Sequence, residues 1–406
     1  MEFSASAAPA QQLPAWRVWL SIVLLGVGAF TIVTTELAPI GLLSPIALEF
    51  GRSDAVVGLT VTLYAWIGAC SALLAALALN GLPRKPLLIG LMLGLTLSNA
   101  IALLALNFGM FLLARVLGAL VHGLFWAVIA ATAAQIAPAR HVGLATSIVF
   151  GGVSVASVLG VPLANFIAQV GNWRMSFGGI CGLSLIAVLL MLPILPSIQR
   201  QPEKAGYAAL AGVLRRADLR GIYAATALAV TGHFAAFTFI EPFLRSAPGV
   251  SVPLVAALLF GFGAAGLFAN LLTGIFIDRY LKPFLMLALG LLSLALLVMG
   301  QWGDRLGILG ISFTLVIWGC STSAIFVGFQ TWILRTSGTA VMPASAVYVA
   351  IFNAAIGIGA MIGAWILSHS GLPAVLKVAG MSGGLAILLV AWLDRPTPVF
   401  QEEIAQ

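Results

Sequence analysis

The charged side chains of this chain are gathered into short intervals, and between them run apolar stretches long enough to cross a bilayer. A membrane-spanning helix needs about 20 mostly apolar residues, each rising 1.5 Å. Twelve such stretches can be marked off, at 18–44, 55–79, 86–106, 109–136, 142–168, 173–196, 219–244, 251–276, 283–300, 306–333, 340–368 and 371–392. Only 8% of the residues are charged and 61% are hydrophobic. A soluble surface calls for roughly a quarter charged residues, so lipid is the solvent this composition fits. The expected fold is an all-α polytopic membrane protein with twelve transmembrane helices.

The longest polar interval, from Ser197 through Arg220, divides six stretches from six and carries Arg200, Lys204, Arg215, Arg216 and Arg220. The expected organisation is a tail at 1–17, a six-helix bundle at 18–196, a linker at 197–218, a second six-helix bundle at 219–393 and a tail at 394–406. With an even number of spans the two tails share a side. Thirteen Lys and Arg fall on that side, against Arg52, Arg174, Arg245 and Arg305 on the other. Lysine and arginine are enriched in cytoplasmic loops, so both termini are expected in the cytoplasm. That bias also accounts for the net charge of +7, and no dense basic face or interleaved aromatic platform points to nucleic acid. The polar start of the chain lacks the pattern of a signal peptide and reads as a retained tail.

The two halves echo each other. Asn80-Gly81-Leu82-Pro83-Arg84-Lys85 lies between spans two and three, and Asp278-Arg279-Tyr280-Leu281-Lys282-Pro283 between spans eight and nine. Paired six-helix halves around a central cavity suit alternating access, with these loops as candidate gate elements. Gly160 and Pro162 in span five are further gate candidates. Cys70, Cys181 and Cys320 sit singly in apolar runs and read as small buried fillers.

An ionisable residue well inside a span is costly unless paired or hydrated, so each one is a candidate for function. Glu36 lies eighteen residues into span one, three before Pro39, whose missing N–H opens the helix locally. It reads as a proton or substrate carrier, as a buried ion pair, or as an interfacial residue. In span four, Arg115, His122 and Trp126 share a helix face. Arg115 can line the cavity, snorkel or meet a carboxylate such as Glu36, and His122 can carry a proton or pack. Span seven supplies His233 and, before Pro242, Glu241. Tyr64, Trp66, Asn165, Gln169, Trp318, Gln330 and Asn353 are polar or aromatic candidates, for substrate or for helix–helix bonds. No phosphate-binding glycine loop, nucleophile motif or metal-ligand pair is present. Neither an enzyme, a metal nor an organic cofactor is expected.

These segments resemble the major facilitator superfamily over residues 18–392, and within its twelve-span drug:proton antiporter branch the bacterial sugar efflux and arabinose efflux permeases. The resemblance rests on Thr35-Glu36-x-x-Pro39, on Arg115 through Trp126, on Gly160-Val161-Pro162-Leu163, and above all on Thr231-Gly232-His233-Phe234 with Ile240-Glu241-Pro242-Phe243. Asn80 departs from the aspartate usual in the family's cytoplasmic loop, whereas Asp278-Arg279 keeps it. The resemblance implies a monomeric, lipid-embedded transporter of the bacterial inner membrane. It implies export of small sugars such as arabinose or lactose in exchange for protons, with amphipathic drugs or purine nucleosides as the alternative cargo. By the same resemblance Glu36, His122, His233 and Glu241 are coupling positions and Arg115 a cavity position.

Overall fold

A computed structural model describes residues 14–78, 82–138, 141–197 and 207–393, and among them every regular element is a helix. In the first half, α1 (Ala15–Leu37) passes through a 3-10 turn, Ala38–Gly41, into the short α2 (Leu43–Glu49). Then follow α3 (Asp54–Ala78), α4 (Arg84–Leu103), α5 (Phe108–Ile136), α6 (Val142–Val170) and α7 (Trp173–Ile194). In the second half, α8 (Tyr207–Arg215) leads to α9 (Ala217–Phe237) and α10 (Ile240–Ser246). The long α11 (Val252–Trp302), α12 (Gly307–Thr336) and the long α13 (Val341–Trp392) complete it.

Among the described residues ten helical stretches are long and apolar enough to cross a membrane, and α9 with α10, bent by 41°, makes an eleventh. The last of the ten, Pro343–Trp392, has 50 residues. At 1.5 Å per residue that is ~75 Å, more than twice the ~30 Å of a hydrocarbon core. It reverses at Gly371, whose φ of 78° lies in the left-handed region that glycine alone enters freely. Residues about equally far on either side of Gly371, Gly359 and Ser382, accordingly lie beside the neighbouring Thr231 and Gly232 of α9. The 51-residue α11, already two of the ten stretches, is interrupted at Tyr280, where φ of −129° and ψ of 32° leave the helical region. Twelve crossings result.

Proline sets the two other breaks. Pro39 has no N–H for the carbonyl of Thr35, and α1 gives way to the 3-10 turn there. Pro242 stands four residues after Thr238, and the chain bends between α9 and α10 at Thr238 and Phe239. The spans expected at 18–44 and 219–244 are therefore each two helical pieces, the first opened at Pro39 as its missing N–H predicts.

On the side where α1 begins and α13 ends, here the terminal side, cations close the C-termini of helices. Arg17 donates to the carbonyls of Ile194 and Pro193, both at 2.9 Å. Arg216 donates to those of Thr336 (2.6 Å) and Ser337 (3.0 Å), and Lys282 to those of Ala391 (2.9 Å) and Leu393. Basic groups satisfy these orphan carbonyls and oppose the negative helix end. On the far side, Asn107 and Asn172 cap α5 and α7, each side chain accepting from the backbone N–H three residues on.

The halves meet on the far side. Glu241 accepts from the backbone N–H of Ser44 at 3.1 Å, and Gln169 donates to the carbonyl of Val252 at 2.9 Å. Deeper in, Thr62 donates to the carbonyl of Gly357 (3.0 Å) and the Trp66 indole to that of Ala354 (3.3 Å). Glycine permits the approach. A Cβ on Gly357 would sit 2.2 Å from the Trp66 indole nitrogen, and one on Gly263 would sit 2.7 Å from the backbone of Val158. Pro162 leaves the Val158 carbonyl without a donor in α6, and that is the carbonyl α11 approaches. One expectation is corrected: Cys70 is exposed and Cys181 and Cys320 are only half-buried, so none is a core filler. The Cys181 and Cys320 thiols instead donate to carbonyls of neighbouring helices, Thr96 of α4 at 3.6 Å and Ala265 of α11 at 3.3 Å.

Candidate functional site

The break in α1 builds the most unusual site in the molecule. Arg115 of α5 reaches it fully buried, at 2% exposure. Its two terminal nitrogens donate to the backbone carbonyls of Thr35 (2.6 Å) and Glu36 (3.1 Å), and its guanidinium lies 4.1 Å from the ring centre of Tyr64 on α3. The carbonyl that Pro39 frees is thus where the arginine binds. Arg115 pairs with the backbone of Glu36 rather than with its carboxylate.

That carboxylate is buried, at 8% exposure. His122 faces it, with Nδ1 3.8 Å from Oε2, too far for a hydrogen bond, and this nitrogen has no other partner. Tyr64 stands edge-on to His122 at 5.4 Å and donates its hydroxyl to the carbonyl of Gly118 at 3.2 Å. Trp126 continues the row, 6.2 Å from His122, and stacks on the exposed Phe150 of α6 at 6.0 Å. Glu36, Tyr64, Arg115, His122 and Trp126, separate in the sequence, therefore form one cluster. A buried carboxylate whose cationic neighbour is engaged by carbonyls can gain and lose a proton without breaking a direct ion pair.

A second cluster surrounds His233 on α9. Trp318 donates its indole N–H to His233 Nδ1 at 3.0 Å, and Thr322 approaches the same atom at 3.2 Å. An indole nitrogen only donates, so Nδ1 is the acceptor and the ring proton sits on Nε2. Phe237 stacks on the imidazole at 5.1 Å, and Phe234 and Phe326 stand edge-on at 4.9 and 5.5 Å. Phe326 meets Phe352 at 4.8 Å, and both are half-buried. His233 and Trp318 are thus bound to each other inside the second half, with no open face between them.

The other candidates are scattered. Glu241 is fully buried in the far-side contact, paired with Arg245 as well as with Ser44. Asn165 is fully buried and donates to the carbonyl of Gly41 at 2.7 Å, pinning α6 to the 3-10 turn. Asn353 is half-buried and donates to Val349 of its own helix, and Gln330 is half-buried. Arg84 is buried and Lys85 half-buried at the start of α4. A Cβ on Gly160 would meet Thr34 at 3.4 Å, an ordinary contact distance. Asn80 lies outside the described residues, as do the side chains of Asp278 and Arg279. Asn99, which sequence reasoning passed over, is fully buried and bonded to Thr35. Its signal was faint, a lone amide in an otherwise apolar span.

A family profile described as Major Facilitator Superfamily matches residues 18–221 and again 222–406. The chain belongs to the major facilitator superfamily. The repeated match divides it where the polar interval does, and members of this family are transporters, not enzymes. Solved structures agree in fold. The nucleoside transporter NupG aligns with a TM-score of 0.76 at 14% identity, covering 93% of this chain and 100% of that one. The xylose transporter XylE from E. coli, in a partially occluded inward-open conformation, aligns at 0.72 with 17% identity, covering 95% and 100%. The human organic anion transporter MFSD10 (TETRAN) aligns at 0.66 with 19% identity, covering 93% and 100%. Such identities carry the fold and no cargo.

Proposed function

We infer that this major facilitator is a proton-coupled antiporter that exports a small amphipathic solute, with Glu36 as the proton carrier. One observation carries the reading: the Glu36 carboxylate is buried beside an unpartnered His122 nitrogen, while both terminal nitrogens of Arg115 donate to backbone carbonyls. Protonation there neutralises a buried charge and so changes which packing of α1 against α5 is favoured. His122 is the group best placed to pass the proton on. The far-side contacts described above belong to a state closed on that side. With both termini in the cytoplasm of a bacterial inner membrane, that state faces inward and is ready to load cytoplasmic solute. Solute and proton then alternate at the cluster, each biasing one access state, since a ligand that bound both equally would move nothing.

The cargo reading rests on the walls. Trp126 with Phe150, and Phe326 with Phe352, offer partly exposed aromatic surface. Trp318, Asn165 and the Nδ1 of His233, which would hold sugar hydroxyls, are bonded within the protein, and phenylalanine rings pack around the imidazole. A purine nucleoside or amphipathic drug with one planar apolar face therefore fits better than arabinose or lactose. The test is flux of labelled inosine, ethidium, lactose and arabinose into proteoliposomes with an imposed pH gradient. Gradient-accelerated, saturable flux of inosine or ethidium above either sugar supports the reading. Sugar-selective flux returns the cargo to glycosides, and flux indifferent to the gradient removes the antiport.

A further inference from the structure

The geometry points to Asn99 of α4, with Ser98 beside it, as the positioning residue that sets the proton affinity of Glu36 without touching it. α4 brings no charged group to the site, because Arg84 and Lys85 lie at its terminal-side end. It brings a two-residue polar staple instead. Ser98 donates to the carbonyl of Ala114 on α5 at 2.7 Å, one residue before Arg115. Asn99, with no exposed surface, donates Nδ2 to Thr35 Oγ1 on α1 at 3.1 Å and to the carbonyl of Leu95 on its own helix at 2.9 Å. Thr35 Oγ1 in turn donates to the carbonyl of Thr31 at 2.9 Å.

Thr35 is therefore held twice. Its side chain is fixed by α4 through Asn99, and its carbonyl by α5 through Arg115. Glu36 is the next residue, so the staple fixes where its carboxylate stands relative to Arg115 and His122. The space is tight as well: a Cβ on Gly118 of α5 would sit 2.7 Å from the Ser98 hydroxyl. The charged or titratable groups facing Glu36 are Arg115 and His122 from α5 and Tyr64 from α3. α6 carries none, and α7 brings Arg174, engaged at the far end by Glu49, and Cys181, whose thiol donates to the carbonyl of Thr96. Among these, Arg115 is the permanent charge, and its distance from the carboxylate depends on where Thr35 is held. Release of Thr35 frees the guanidinium from the two carbonyls and alters the field at the carboxylate.

This inference rests on Glu36 being the proton carrier, and the test separates the two. Purified full-length protein in lipid is titrated by infrared difference spectroscopy, and the protonated-carboxyl stretch that vanishes in Glu36→Gln is taken as that of Glu36. Asn99→Leu and the isosteric Thr35→Val each break the same bond from opposite sides. Each is expected to change the proton affinity of that band about tenfold, one unit of midpoint. The double variant is expected to change it no further than the larger single change, as for two partners of one bond. Thr35→Val preserves shape, so it reports even where Asn99→Leu folds poorly. Midpoints in folded Thr35→Val equal to that of the parent overturn the positioning role and leave the carrier untouched. The absence of any band removed by Glu36→Gln overturns the carrier, and with it this inference.

Discussion

In the proposed antiport Glu36 carries the proton, so its replacement is predicted to separate coupling from binding. Glu36→Gln keeps the shape and removes the proton site, so gradient-driven flux in proteoliposomes is expected to fall to the level of empty vesicles while solute exchange at equal pH persists. Trp318 is predicted to act differently. Its indole N–H satisfies a buried imidazole nitrogen, and Trp318→Phe leaves that nitrogen with Thr322 alone. The expected cost is roughly 1–3 kcal/mol of stability, read as a lower unfolding temperature, with solute affinity unchanged. Outside the spans, Glu49 hydrogen-bonds to Arg174 and, at 2.5 Å, to the Trp173 indole. The Arg174 guanidinium holds its carboxyl below the usual carboxylate range. A depressed carboxyl contributes stability above its unfolded pKa and loses it as pH falls through the folded one. Glu49→Gln is thus expected to lower thermal stability at pH 7 by well under ~1 kcal/mol, because the pair is partly exposed. The difference should vanish in strong acid.

At the scale of elements, breaks and glycines decide what can move. The Pro39 break supplies the acceptors for Arg115, and the glycines of α11 and α13 let the second half close on α3 and α6. Gly263→Ala forces a methyl group to within 2.7 Å of backbone on α6, and backbone cannot step aside as a side-chain tip can. The predicted result is a shift toward the far-side-open state, measured as faster labelling of a cysteine placed at Ser44 in a background without the native cysteines. Unchanged labelling would mean that this contact does not hold the far side shut. Span positions were legible in sequence, because hydropathy is local. The fates of Asn165, Trp318 and His233 were not, since whether a buried polar group meets a ligand or another helix depends on rotations about helix axes that no single span encodes. Asn99 was missed for the same reason: its partner is sixty-four positions away in the chain.

For the whole molecule, the doubled family match, the reversal at Gly371 and the far-side contacts describe two six-helix halves that meet on the far side, with the α1 cluster inside the first. The central claim is that solute and proton exclude each other at Glu36. The direct measurement is proton release from purified protein in weakly buffered solution when inosine or ethidium is added, followed in parallel with binding of the same solute. The account predicts protons released as solute binds to the parent protein, and binding without release in Glu36→Gln. Solute binding to the parent protein with no proton released, or the same release from Glu36→Gln, would contradict it.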